Sequence, residues 1–415
     1  MGSNLAIHGG PPVRRDPFPS VGDISGRDLG DEEIRNLTEV IRSGRLFRYG
    51  GQFVPRLEQE FARMHGVKHA VASTSGTAAL HLAVGAVNPD PGDEIITSPI
   101  TDMGTVIPIV QQNAVPIFAD LDPRTYTLDP ASVAARVSSH TRAIIAVHLF
   151  GHPCDMEALW AIARPRGIAV IEDCAQAYLA EDNGRRVGAM GTLGCFSLQQ
   201  SKHMTAGDGG ITITDDDALA ERLALFSDKG WPRSGDVRDY LFMGMNYRMN
   251  ELTGAVACAQ LGKVQSVVER RRAAAARLTA SLEQVAGVEP PHVRPGCAHS
   301  YWQYPITINE QVIRATPAEF AKALGAEGIP AGVGYIGKPL YMSRALQEEA
   351  AYGSSHYPWH SADHSRYYHY QERDCPHTLE ILRRIIVLPW NEKYTERDVQ
   401  DIADGIAKVA EHYRV

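Results

Sequence analysis

GIAVIEDCAQAY (167–178) and GCFSLQQSKHMTAGDGGITITD (194–215) carry the reading of the fold. Each opens on a short, almost unbroken apolar run, as a strand buried on both faces of a sheet requires. Each then delivers chemistry-bearing residues just past the strand. Asp173 ends the first run; Ser197 and Lys202 follow the second, ahead of the small-residue turn Gly207-Asp208-Gly209-Gly210. Working outward, five further β-rich runs stand out, most of them nearly continuously apolar: VKHAVAS (67–73), DEIITS (93–98), AVPIFAD (114–120), RAIIAVHL (142–149) and the closing GGITITD (209–215). With the two opening runs this makes seven strands. Helical patterns lie between several of them, among them Asp155–Arg164, with Asp155 as its N-cap. The alternation predicts an α/β fold: a seven-stranded, mostly parallel sheet with helices on both faces and ligands beyond the carboxyl ends of the strands.

An amphipathic helix, DEEIRNLTEVIRSG (31–44), precedes the sheet. A long helical stretch, about 250–285, follows it and reads as a link to a second, smaller α/β unit with strand YWQYPITI (301–308) and helix TPAEFAKALGAEG (316–328). The last helix starts at Thr395, with Asp398 completing a capping box. The expected division is an N-terminal arm (1–30), a large domain (31–255) and a small C-terminal domain (256–415).

Composition narrows the function. The 415 residues are 44% hydrophobic and 22% charged, an ordinary globular balance, and the net charge is −8. An acidic chain offers no footprint for nucleic acid or for an anionic membrane. The longest apolar runs are too short to span a bilayer. The N-terminus lacks an apolar signal core, and the six cysteines are scattered without CxxC pairing. Both features point to reduced thiols in a cytoplasmic enzyme.

Three features fall at predicted strand ends. Ser75-Gly76-Thr77 lies between a strand and a helix, where backbone N–H groups can hold a phosphate or can simply form a turn and a cap. Asp173 is a carboxylate aimed at the ligand crevice, or a helix cap. Lys202 is an amine in a close-packed turn, or a solvated charge. Together they are the parts that pyridoxal phosphate (PLP) needs: a phosphate cup, a carboxylate that keeps the pyridine nitrogen protonated, and an amine for the Schiff base.

The sequence resembles the DegT/StrS group of fold-type-I, PLP-dependent sugar and cyclitol aminotransferases over nearly its whole length. The resemblance runs through LAIHGGPPVR (5–14), SGRLFRYGG…HAVASTSGTAALHLA (43–83), PGDEIIT (91–97), VHLFGHPCDM (147–156), IEDCAQAY (171–178), FSLQQSKHMTAGDGG (196–210) and MNYRMNELTGAVACAQL (245–261). It implies that Lys202 carries the cofactor and shuttles the proton, that Asp173 pairs with the ring nitrogen and that Gln176 sits near the ring hydroxyl. It implies that Gly76, Thr77 and Ser197 bind phosphate, and that Asn246 reaches the phosphate from the neighbouring subunit of a homodimer. An amino acid, glutamate or glutamine, would load the amine as pyridoxamine phosphate for transfer to a keto sugar, keto cyclitol or related keto compound. Such enzymes serve amino sugar and antibiotic biosynthesis.

Departures from the family pattern matter. Asp102 takes the place of an aromatic residue that stacks on the cofactor ring. It can act as an acid or base, grip a cationic or hydroxylated substrate, or turn away while Met103 covers the ring. Asp102 therefore keeps open a non-transaminating reading (dehydratase, eliminase or cyclase), and a PLP-binding regulator or scaffold is the reading from another class. One branch of the family replaces the lysine with His. Here Lys202 is kept, with His203 beside it as a candidate substrate neighbour.

Other signals are set aside. Gly332–Gly337 matches GxGxxG, but Lys338-Pro339 follows where a helix should open, so a dinucleotide site is not expected. Tyr335 in this stretch is a candidate substrate contact. His356, His360 and His364 have helical spacing, yet Pro358 breaks the helix; no metal site is expected there. The His- and Tyr-rich segment 352–377 reads instead as an insertion at the substrate entrance or dimer interface. Arg270-Arg271-Arg272 reads as the solvated face of the long helix.

Overall fold

The computed structural model describes residues 4–234, 237–360 and 368–415. The seven apolar runs become the strands of one sheet: β1 His69–Ser73, β2 Glu94–Thr97, β3 Val115–Phe118, β4 Thr141–Val147, β5 Ala169–Asp173, β6 Leu193–Ser197 and β7 Gly210–Thr214. Their order is β1-β7-β6-β5-β4-β2-β3. Neighbours from β6 to β3 pair in parallel, and β7 runs antiparallel to both β1 and β6. The α/β expectation therefore holds.

Successive residues of a strand face opposite layers. Ile144 of β4 enters a core with Phe53, Phe61 and Phe196, while its neighbour Ile145 enters another with Leu82, Val84 and Leu223. Two covered faces are why most of these strands lack polar alternation.

Helix α1 (Asp31–Ser43) stops at Gly44, which takes φ +67°, a left-handed conformation that favours glycine. Helix α2 (Phe53–His65) has no cap from its own N-terminal residue. Buried Glu251 supplies one from a distance, accepting the amides of Gln52, Phe53 and Val54 at 2.8, 2.7 and 2.9 Å. Asp155 caps Met156–Ala163, and Thr395 with Asp398 boxes the start of Glu396–Tyr413.

A second, antiparallel sheet of four strands is built around Gln303–Ile308 and Ile386–Pro389. Helices Pro317–Ala326 and Glu396–Tyr413 cover it, with Tyr304, Phe320 and Ile406 in the core and Leu5 entering from the N-terminal segment. The long helix Glu251–Leu282 serves both units. Leu261 and Val264 lie in the first core; Ala275, Leu278 and Leu282 lie in the second.

Two expectations are corrected. The arginine run is no solvated face. Arg271 is fully buried, and Arg272 donates to the carbonyls of Leu179, Ala298 and His299 at 2.6, 3.2 and 2.9 Å. The aromatic segment is not, in its described part, an entrance insertion. Trp359, Tyr370 and Cys375 pack with Val115, Phe118 and Tyr341 against β3, the edge strand of the main sheet. Tyr370 Oη donates to the Pro116 carbonyl at 2.7 Å and accepts from Trp359 Nε1 at 2.8 Å. The aromatic residues thus seal a strand edge that would otherwise expose unpaired backbone. His364 lies outside the described residues, and His356 and His360 both pair with Glu349. Among the described residues, no helix is long and apolar enough to cross a membrane.

Candidate active site

Strands β1, β5 and β6 run in the same direction, so their carboxyl ends share one edge of the sheet. Past β1, Ser75 caps helix α3 (Gly76–Val87) by accepting from the Ala78 amide at 3.0 Å. The Gly76 and Thr77 amides precede the first intrahelical bond and point outward from the positive end of the helix dipole. Past β2, Asp102 caps helix α4 (Met103–Gln111), its Oδ1 accepting from the Gly104 amide at 2.8 Å. These ends surround a cavity of about 360 Å³. Gly76, Thr77, Asp102, Thr105, Asp173, Ser197, Lys202, Asp208, Trp302 and Tyr335 are among its lining residues.

Asp173 is buried at the end of β5. Its Oδ2 accepts from Thr105 Oγ1 at 2.8 Å and its Oδ1 from the Ala175 amide at 3.1 Å. Thr105 is held in turn by Thr101 Oγ1 at 2.7 Å. Burial pushes the Asp173 carboxyl above its usual range, against these hydrogen bonds and the nearby Lys202 and His148 charges. Burial likewise lowers the Lys202 ammonium, while Asp173 and Asp102 pull it back up. The lysine Nζ lies 4.3 Å from the centroid of the Trp302 ring.

Gly76 is required by close approach. A Cβ there would meet Ser197 Cβ at 2.6 Å and Ser197 Oγ at 2.8 Å. The helix N-terminus and the Ser197 hydroxyl therefore form one cradle, of a size and polarity that suit a phosphate.

Gln176 is buried beside the cavity but is not part of its lining. Its Nε2 donates to Tyr335 Oη at 3.0 Å, and its Oε1 accepts from the Phe150 amide at 2.8 Å. Tyr335 does line the cavity, and burial pushes its hydroxyl up to about 12. His203 is a correction. It turns away from the cavity, buried with Nε2 2.9 Å from the Ser300 carbonyl oxygen, because it follows Lys202 in a tight turn and the two side chains leave in different directions. Asn246 is exposed and absent from its own chain's cavity, paired through its backbone with Asp228. Several lining residues escaped the sequence reading, Thr105 and Trp302 among them. Thr105 stands four residues after Thr101, a usable signal; Trp302 lies just before a strand of the other unit and carries no local signal.

A lysine and a carboxylate thus face one cavity, beside a helix N-terminus and a serine hydroxyl at the carboxyl edge of this sheet, an arrangement built for chemistry at an amine. Residues 27–361 match the DegT/DnrJ/EryC1/StrS aminotransferase family, and the chain belongs to it. It is 35% identical to the L-glutamine:2-deoxy-scyllo-inosose aminotransferase of Streptomyces kanamyceticus, over 100% of this chain and 98% of that protein. It is 34% identical to the pleiotropic regulatory protein of Geobacillus stearothermophilus, over 93% and 96% of the two chains. The crystal structure of S. venezuelae DesV in complex with a ketimine intermediate superposes with a TM-score of 0.83 at 28% identity, covering 98% of this chain and 100% of that one.

Proposed function

We propose that this aminotransferase uses PLP to move an amino group from glutamate or glutamine to the carbonyl of a keto sugar, keto cyclitol or related keto compound. The observation that carries the reading is the Asp173–Lys202 pair lining one cavity with the Gly76–Ser197 cradle. That cradle and the buried acid fit the cofactor's two ends. Gly76, Thr77 and Ser197 would hold its phosphate, Asp173 would face its ring nitrogen, and Gln176, through Tyr335, would border its hydroxyl. When bound, the cofactor supplies an electrophilic aldehyde and a ring that accepts the electron pair released at the donor Cα.

This chain's residues do the rest. Asp173, oriented by Thr105 and Ala175, would hold a proton on the ring nitrogen. Lys202, its pKa lowered by burial, is poised to take a proton at Nζ and return it at the neighbouring carbon. Trp302 and Tyr335 wall the amine against water. Asp102 caps α4 and adds a second carboxylate near Lys202, the one feature that favours a dehydrating or eliminating reaction. Detecting amine loading of the cofactor by glutamate or glutamine distinguishes transamination from that second reading.

The homodimer is proposed on the same footing. Phe47, Tyr49, Leu241, Met243 and Met245 are large exposed hydrophobic side chains near Asn246, with Arg233 stacked on Phe47 and Tyr49. A second copy covering them would bring Asn246 to its phosphate. The arm, large-domain and small-domain division and a cytoplasmic setting complete the proposal. The test is borohydride reduction of the PLP-loaded protein, followed by peptide mass spectrometry. A pyridoxyl group on Lys202, lost together with turnover in Lys202→Ala, is expected; full turnover in that variant refutes the assignment.

A further inference from the structure

Three side chains from distant parts of the chain meet beneath Lys202, and nothing in the proposed chemistry uses them. Arg27, Arg271 and Glu392 are 3%, 0% and 4% exposed. Glu392 Oε1 accepts from Arg27 Nη2 at 3.2 Å; its Oε2 accepts from Arg271 Nε at 2.9 Å and lies 2.7 Å from Nη2. Both guanidinium groups then reach main-chain carbonyls. Arg27 Nη1 donates to Lys202 O at 2.7 Å and to Gln200 O at 3.1 Å. Arg271 Nη1 donates to Tyr301 O at 3.1 Å and to Trp302 O at 3.2 Å.

The carbonyls chosen are informative. One pair belongs to the turn that carries the reactive lysine, and the other to the residues that carry the indole facing its amine. Trp302 Nε1 closes the ring of contacts by donating to Ser201 O at 2.9 Å. The lysine turn and its aromatic wall are thus tied to one buried carboxylate. Apolar side chains can often replace a buried ion cluster without loss, but here they would leave these four main-chain carbonyls without donors. The unit therefore serves the structure of this turn in particular: arginine's rigid fork reaches a carboxylate and carbonyls at the same time, and the carbonyls it reaches are those of the lysine turn and its aromatic wall.

We infer that the Arg27–Glu392–Arg271 unit is a positioning device that fixes the direction of the Lys202 amine and the plane of Trp302 for capture of the cofactor aldehyde. The inference rests on the PLP reading above. A reactive group displaced by about 1 Å typically loses on the order of a hundredfold in rate, so the unit acts through geometry and not through contact with substrate. It also joins the N-terminal segment and the second unit to the reactive turn. Burial holds the neighbouring His203 imidazole well below its usual pKa, and the Arg271 and Arg27 charges push the same way.

The experiment compares wild type, Arg27→Lys, Arg271→Lys and the milder Glu392→Asp, with Arg270→Lys as control. Arg270 is on the same helix, in a partly exposed ion pair with Asp28. Apoprotein is titrated with PLP, and the visible band is followed against pH. The three unit variants are expected to bind PLP roughly ten- to a hundredfold more weakly and to move the band's pH midpoint, while Arg270→Lys matches wild type. Glu392→Asp gives the same readouts should either lysine variant fail to fold. Wild-type affinity and an unmoved midpoint in folded unit variants, with lower melting temperature as their one change, overturn the inference and leave the PLP reading intact. A wild type that forms no visible band with PLP overturns both.

Discussion

Asp173→Asn separates what the site needs from what the fold prefers. Asparagine keeps the shape and both hydrogen bonds: its oxygen can accept from the Ala175 amide, and its NH2 can donate to Thr105 Oγ1, which then turns its own proton to Thr101. What disappears is a buried charge. Because burial raises the Asp173 pKa despite the Lys202 and His148 charges, the ionised carboxyl costs the native state more than the unfolded one, and removing the charge stabilises the apoprotein. At roughly 1 °C per kcal/mol for a chain of this size, the apoprotein melts slightly higher. The pH sign follows from the raised pKa. An unfolded carboxyl titrates near 3.8, and the native one titrates higher, so wild-type stability from this group falls as pH rises through that window. The gap in favour of the variant therefore opens above about pH 4 and levels off once the native group has ionised. Turnover moves the other way, down roughly a hundredfold or more, because the ring nitrogen loses its partner. Calorimetry of the apoproteins between pH 5 and 8, beside steady-state kinetics, reads both effects. A variant less stable at pH 8, or one that retains wild-type turnover, contradicts the role given to Asp173.

Gly76→Ala drives a methyl into Ser197; PLP affinity should fall at least about tenfold, near 1.4 kcal/mol, in absorbance titrations of the apoprotein. Tyr370→Phe leaves the Trp359 N–H and the Pro116 carbonyl buried without their partner; a loss of about 1–3 kcal/mol should lower the urea midpoint while kcat and KM stay put. Glu251→Gln replaces one of the two oxygens that hold three amides of α2 with an NH2 group. A loss of similar size, about 1–3 kcal/mol, is expected in the same urea assay.

The sheet was legible because strands covered on both faces need apolar side chains at consecutive positions, and most of the seven runs show this. Asp173 and Lys202 were legible because they stand just beyond such runs, where open α/β sheets present their ligands. Arg271 was not. A charged residue amid two others on a helix looks solvated, and its burial depends on Glu392 and on carbonyls that sequence does not bring near. Trp359 and Tyr370 misled for a related reason: aromatic richness signals a surface to be covered, and the surface proved to be the chain's own edge strand. His203 shows how neighbouring positions in a turn divide, one side chain toward the cavity and the next into the core.

The helix Glu251–Leu282 is rooted in both cores. A rigid strut fixed at each end resists hinge bending, since swinging one unit against the other would require breaking the rod or withdrawing one of its buried stretches. The cavity mouth, where Tyr335 stands, is then framed by short connections between two units braced against each other by one rod.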